Sequence, residues 1–129
     1  MNIQGNSITV KKSAKELYEH LCKLENFEEL MPENLEKFEV DGDSFLFGLK
    51  GMPEIRLVVT EKEPHSKIIL GAASSALNFS LNTYIDEVSD NTCTAQLSFD
   101  GKFNAMMAMM VKRPLKKLIE VLTDNIEKL

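Results

Sequence analysis

The chain has no tryptophan, only two cysteines and two histidines, and four prolines in 129 residues. Two thiols are too few for a disulfide framework. Cys22 and Cys93 lie far apart, without a His or Cys at metal-ligand spacing, so a structural zinc site is not expected. Both read as buried, reduced thiols acting as small hydrophobes. Basic residues are in the minority, 15 against 20 acidic, and the formal charge is -5. That balance does not suit a nucleic-acid binder, which normally carries a basic patch or stripe, and no nucleic-acid partner is expected. No apolar run approaches the roughly 18 residues of a membrane-spanning helix, and the first residues, MNIQGNSITVKKSAKE, contain no apolar signal-peptide core. Neither secretion nor integral membrane association is expected, and the expected location is cytoplasmic. No cofactor or metal motif occurs, and none is expected to be bound.

What is present is ordinary globular composition, 43% hydrophobic and 27% charged, enough to bury a core. One domain over residues 1–129 is expected. Residues 2–12 read as a first strand, with Ile8 and Val10 alternating against polar neighbours. Ser13 and Glu16 then have capping-box spacing, in which hydroxyl and carboxylate each satisfy an orphan backbone N–H. Leu17, Leu21 and Leu24 follow at helical spacing, widened by Tyr18 and Cys22. Phe27, Leu30 and Met31 predict a second short helical turn ended by Pro32.

From Leu35 the period changes to two. Alternation predicts strands through Phe38–Val40, Phe45–Leu49, Ile55–Val59, Ile68–Leu70, Leu77–Ile85 and Cys93–Phe99. They are separated by Asp41-Gly42-Asp43, Gly51-Met52-Pro53, Glu63-Pro64-His65-Ser66, the small, flexible stretch Gly71 to Ser75, and Ser89-Asp90-Asn91. Short turns between successive strands imply an antiparallel meander, one face buried and the other wet. Beyond Gly101 the period is helical again. Phe103, Met107, Met110, Pro114, Leu118, Val121, Leu122, Ile126 and Leu129 make an apolar stripe, and Pro114 predicts a kink or two segments.

This α+β order of strand, short helices, antiparallel strands and long terminal helix resembles the helix-grip fold of the START / Bet v 1-like (SRPBCC, polyketide cyclase/dehydrase-related) superfamily. The resemblance spans the whole chain. It is carried by Val10-Lys11-Lys12-Ser13-Ala14-Lys15-Glu16-Leu17-Tyr18, by the Asp41-Gly42-Asp43 hairpin and by the Phe99-Asp100-Gly101 step. It implies a curved antiparallel sheet around the terminal helix, with a cavity between them for an apolar or amphipathic molecule. The aspartate or arginine pairs that enzymes of the superfamily place in that cavity have no counterpart here.

The inward sheet face follows from alternation: Phe38, Val40, Phe45, Phe47, Leu49, Ile55, Leu57, Val59, Ile68, Leu70, Leu77, Phe79, Leu81, Thr83, Ile85, Cys93, Ala95, Leu97 and Phe99. Its only polar groups are the Thr83 hydroxyl and the Cys93 thiol, whereas acid–base catalysis needs a titratable group within reach of substrate. Arg56 alternates outward. His20 reads as a surface residue and His65 as a turn residue. Met106, Met107, Met109 and Met110 crowd the start of the terminal helix. Four flexible thioethers in five positions cannot all face the sheet, so they read as core packing, cavity mouth or partner surface. Lys112-Arg113 and Lys116-Lys117 straddle Pro114 as a solvated face, a site for an anionic headgroup or a membrane contact. The run Glu25, Glu28, Glu29, Glu33 and Glu36 repels anions nearby.

The expected function is non-catalytic binding of a small hydrophobic or amphipathic, lipid- or polyketide-like molecule between sheet and terminal helix. The expected lining is Phe45, Phe47, Leu57, Phe79, Leu81, Thr83, Leu97, Phe99, Met106, Met107, Met110 and Leu118. Two alternatives stand beside it: a polyketide cyclase/dehydrase-like enzyme, with Tyr18, Thr83 or Arg56 reaching a partly polar cavity, and a protein-interaction module with a filled core and exposed methionines.

Overall fold

A computed structural model describes residues 1–52, 54–72 and 78–129. Leu77, placed on the inward face by alternation, and the turn and loop residues Pro53 and Ala73 to Ser75 lie outside the described residues.

The first expected strand is split into β1 (Asn2–Gln4) and β2 (Ile8–Val10), both paired antiparallel with the same late strand. Gly5 lies at the break, and its N–H donates to the Leu97 carbonyl at 2.8 Å. A side chain there has no room: an added Cβ would sit 2.8 Å from Thr123 Oγ1 and 3.0 Å from Ile119 Cγ2 of the terminal helix. The missing side chain lets helix and sheet approach closely.

Helix α1 (Ala14–Cys22) begins in the expected capping box, with Ser13 Oγ accepting from the Glu16 N–H at 3.0 Å. It buries Ala14, Leu17 and Leu21. A 3-10 turn (Leu24–Asn26) and α2 (Phe27–Leu30) follow, burying Leu24, Phe27 and Leu30. The meander then runs through β3 (Leu35–Asp41), β4 (Ser44–Leu49), β5 (Ile55–Glu63), β6 (Lys67–Ala72), β7 (Asn78–Ser89) and β8 (Thr92–Lys102). Among the described residues the sheet order is β1-β8-β7-β6-β5-β4-β3, with β2 also on β8. Register shifts interrupt three of the ladders, at Leu35/Lys37, Val59/Glu61 and Glu87/Ser89. Bulges of this kind bend a sheet and increase its twist.

Alternation identifies the buried face well. Rows such as Leu70, Leu81 and Phe99, or Ile68, Thr83 and Leu97, are cross-strand partners and are buried. Phe38, Val40 and Val59 are only half-buried. Phe38 and Val40 lie on β3, the edge of the sheet.

The terminal helix α3 (Ala105–Glu127) starts three residues after β8 ends, with Asn104 Oδ1 accepting from the Met107 N–H at 2.8 Å. It is one element across Pro114, so the expected division into two segments does not occur. Its buried residues are Val111, Leu115, Leu118, Ile119, Leu122, Thr123 and Ile126. The expected stripe slipped by one residue in the first half: Val111 and Leu115 face the sheet, whereas Met110 is exposed and Pro114 half-buried. The second half is held by apolar packing and by Asn125, whose side-chain amide donates to the Leu30 carbonyl at 2.8 Å.

Candidate functional site

The seven phenylalanines fall into two groups. Phe27, Phe38 and Phe47 each lie against Phe45, with ring centroids 5.3, 5.3 and 5.9 Å away. Phe99 and Phe103 lie against Phe79 at 5.1 and 6.0 Å. The second group is the candidate site, because the packing beside it is incomplete. A void of about 20 Å³ lies between Ile55, Phe79 and Phe99 of the sheet and Phe103, Met107, Val111 and Leu115 above them. That is room for about one water, but no residue of the lining carries a side-chain hydrogen-bonding group. A site without polar partners stays dry.

The twelve expected lining residues divide accordingly. Phe79, Phe99 and Met107 border the void. Phe45 and Phe47 are buried in the other aromatic group, and Leu57, Leu81, Thr83, Leu97 and Leu118 are buried elsewhere in the interior. Met106 and Met110 are not lining residues: they are 75% and 62% exposed, and Met109 beside them is 83% exposed. The cause is the helical phase. Steps of four through Phe103, Met107, Val111 and Leu115 take the inward face, and Met106, Met109 and Met110 fall on the opposite side. Ile55 already lay on the predicted inward face. Phe103, Val111 and Leu115 went unnoticed as lining, and their strict i+4 spacing was the available signal.

The polar groups lie apart from this void. Among the described residues the buried polar side chains are Asn82, Thr83, Ser98 and Thr123, none of them ionisable. Asn82 Nδ2 donates to Ser98 Oγ at 3.2 Å and to Asp100 Oδ2 at 3.0 Å, and Asn2 Nδ2 also donates to Asp100. This network ties β1, β8 and β7 together. Thr123 Oγ1, pressed against Gly5, is buried without a hydrogen-bond partner. Arg56 points outward as expected, its Nη1 donating to Ser44 Oγ at 3.1 Å. Tyr18 is half-buried with its ring edge-on to His65, centroids 5.7 Å apart. Burial, and then the Cys22 thiol, push its phenol above the ordinary value. Burial likewise pushes the Cys93 thiol up, which keeps it protonated and unreactive.

Two expectations need adjustment. Cys22 is half-buried rather than buried. His20 is not a plain surface residue: it is half-buried with Nε2 shielded and unpartnered, and its backbone carbonyl accepts from the Asn26 side-chain amide at 2.8 Å. Among the described residues no three His, Cys, Asp or Glu side chains gather as a metal site, and no helix is long and apolar enough to cross a membrane.

The chain matches no known family model and no curated protein by sequence. Solved structures resemble it over nearly its whole length. A START superfamily protein from Mycobacterium smegmatis is 10% identical, with 98% of this chain and 97% of that one covered and a TM-score of 0.68. A point mutant of norcoclaurine synthase from Thalictrum flavum, in complex with a transition-state analogue, is 12% identical over 99% and 94% at 0.68. The Aha1 dimer from Colwellia psychrerythraea is 17% identical over 98% and 96% at 0.61. At such identities the likeness concerns the fold, which is the START / Bet v 1-like helix-grip fold: a curved antiparallel sheet around a long C-terminal helix.

Proposed function

We propose that the protein binds a small hydrophobic or amphipathic molecule without transforming it, by opening the space between the sheet and the first half of α3. The observation that carries this reading is the dry void between Phe79, Phe99, Phe103, Met107 and Val111. At about 20 Å³ it holds no organic ligand as it stands, so binding requires residues 105–113 to move outward. Several features favour that movement. Met107 and Phe103 are only half-buried, Met106, Met109 and Met110 gain nothing from the interior, and Pro114 supplies no N–H to the carbonyl of Met110. Flexible thioethers can repack around a guest of irregular shape. Among the buried described residues the one ionisable side chain is the Cys93 thiol, which burial keeps protonated and which does not border the void, and this argues against acid–base catalysis there.

The test is an NMR titration of methyl-labelled protein with a medium-chain fatty acid, a sterol and an aromatic polyketide. Shifts concentrated at Met107, Val111 and Leu115 are expected, with little change at Leu122 or Ile126. Unchanged spectra for all three, at concentrations where a control binder saturates, overturn the reading.

A second reading is favoured by the same small void: a protein-interaction module whose interior is filled and whose exposed methionines meet a partner. It predicts no ligand shifts, and self-association or partner binding abolished by Met106→Lys.

A further inference from the structure

The outward face of α3 is separate from the void and its reading does not depend on the ligand. Met106, Met109, Met110, Arg113, Lys116 and Lys117 recur at steps of three and four, which places them along one side of the helix. All six are exposed. Between residues 101 and 119 there is no Asp or Glu, although the chain as a whole carries -5. Ion pairs among the described residues engage only Lys37, with Glu39 and Glu54, and Lys67, with Glu61 and Glu63. Lys117 borders a cleft that it shares with Glu33 and Asp124, yet among the described residues the cations of α3 make no ion pair. The first turn of α3 also has no acidic residue, so the positive end of the helix dipole adds to their field. Further along the same face the sign reverses at Glu120, Asp124 and Glu127.

We infer that this face is a docking surface for an anionic lipid bilayer, with the three methionines in the acyl-chain boundary and Arg113, Lys116 and Lys117 at the headgroups. Apolar side chains at one end with cations directly behind them suit a surface that is oily inside and negatively charged at its rim. The acidic last turns keep that end of the helix away from the bilayer, so the molecule sits tilted, methionines down. A second copy of the chain is a poorer occupant. A two-fold contact through Met109 and Met110 brings Arg113 of one copy toward Arg113 of the other, with no acid between residues 101 and 119 to relieve them.

The experiment is co-sedimentation with vesicles of pure phosphatidylcholine and of equimolar phosphatidylcholine and phosphatidylglycerol. The protein is expected to pellet with the anionic vesicles, to bind the neutral ones far less, and to be released by added salt. Arg113→Gln with Lys117→Gln is expected to weaken the partition about thirtyfold, at about 1 kcal/mol per cation near the surface. Met109→Ser with Met110→Ser is expected to reduce it about a hundredfold, at about 1.5 kcal/mol for each methionine side chain withdrawn from the acyl-chain boundary. All four positions are exposed or solvent-facing, and unchanged circular dichroism and thermal midpoints establish that the variants fold. Lys15→Gln with Lys23→Gln, on and just after α1, serves as the charge control and is expected to bind like the unaltered protein. The proposal is overturned if the protein stays in the supernatant with anionic vesicles, or if the control pair weakens binding as much as the α3 pair. It is also overturned if vesicles are ignored while polyglutamate binds or sedimentation velocity reveals a dimer that the methionine substitutions dissolve.

Discussion

The two groups of phenylalanines close the interior by different means. Around Phe45 the rings of Phe27, Phe38 and Phe47 meet from α2, β3 and β4, and Phe27, Phe45 and Phe47 are fully buried. Around Phe79 two rings meet a third, but the space above them is covered by a methionine, a valine and a leucine from α3, and a void is left. The same division runs along α3. Its second half buries a continuous stripe and is tied to α2 through Asn125, whereas its first half is fixed by its own N-cap and a few inward side chains. Similar residue types thus close one side fully and leave the other incomplete, and the difference lies in what covers the rings: further rings at Phe45, aliphatic and methionine side chains of a half-exposed helix start at Phe79.

The largest expected effect separates the two groups. Phe45→Ala should cost about 3–5 kcal/mol in urea unfolding, as large-to-small changes do in a core that cannot collapse. Phe103→Ala, at a half-buried position beside flexible methionines, should cost about 1–2 kcal/mol, because less area is lost and the neighbours can fill in. Equal losses would break the comparison. Gly5→Ala should come next, at about 1–3 kcal/mol, because the added methyl forces helix and strand apart. Its effect on methyl spectra should appear at Ile119 and Leu122 and spare Met107. Asn125→Ala should lose about 0.5–1.5 kcal/mol by freeing the Leu30 carbonyl, measurable in the same unfolding assay. Smallest of all, Val111→Ile adds one methylene toward the void and should shift stability by under about 1 kcal/mol. If the void is the seed of a binding site, that change should nonetheless weaken fatty-acid binding in the titration more than it alters folding.

Much of the sheet was legible because alternation has a period of two and admits only two phases, of which one is plainly apolar. Phe45, Phe47, Leu81, Leu97 and Phe99 are all buried where the pattern put them. The capping box was equally clear, since Ser13 and Glu16 complete it within one turn. The start of α3 was not legible. Met106, Met107, Met109 and Met110 are alike in chemistry, so hydrophobicity cannot say which of them faces inward. From Met107 a step of three and then one of four leads to Met110 and Pro114, whereas two steps of four lead to Val111 and Leu115. The two routes rejoin at Leu118, so the packed half of the helix could be read correctly while the candidate site beside it was not. The split in the first strand was hidden for another reason. Gly5 within the run is a local sign of a break or close approach, but that the close neighbour is α3 is a tertiary contact.

The N–H that Pro114 lacks has a consequence for how this helix tolerates change. One rung of the ladder, from residue 114 to the Met110 carbonyl, is missing while the helix continues across it, so the backbone is loosened at that point. Residues 105–113 lie between the Asn104 cap at one end and Pro114 at the other, and only Val111 among them is buried. Their sequence can drift, acquiring a different guest or a different surface, while Leu118, Leu122 and Ile126 stay seated. A chimera carrying an unrelated helical stretch between those two markers should keep the sheet and the second half of α3 intact.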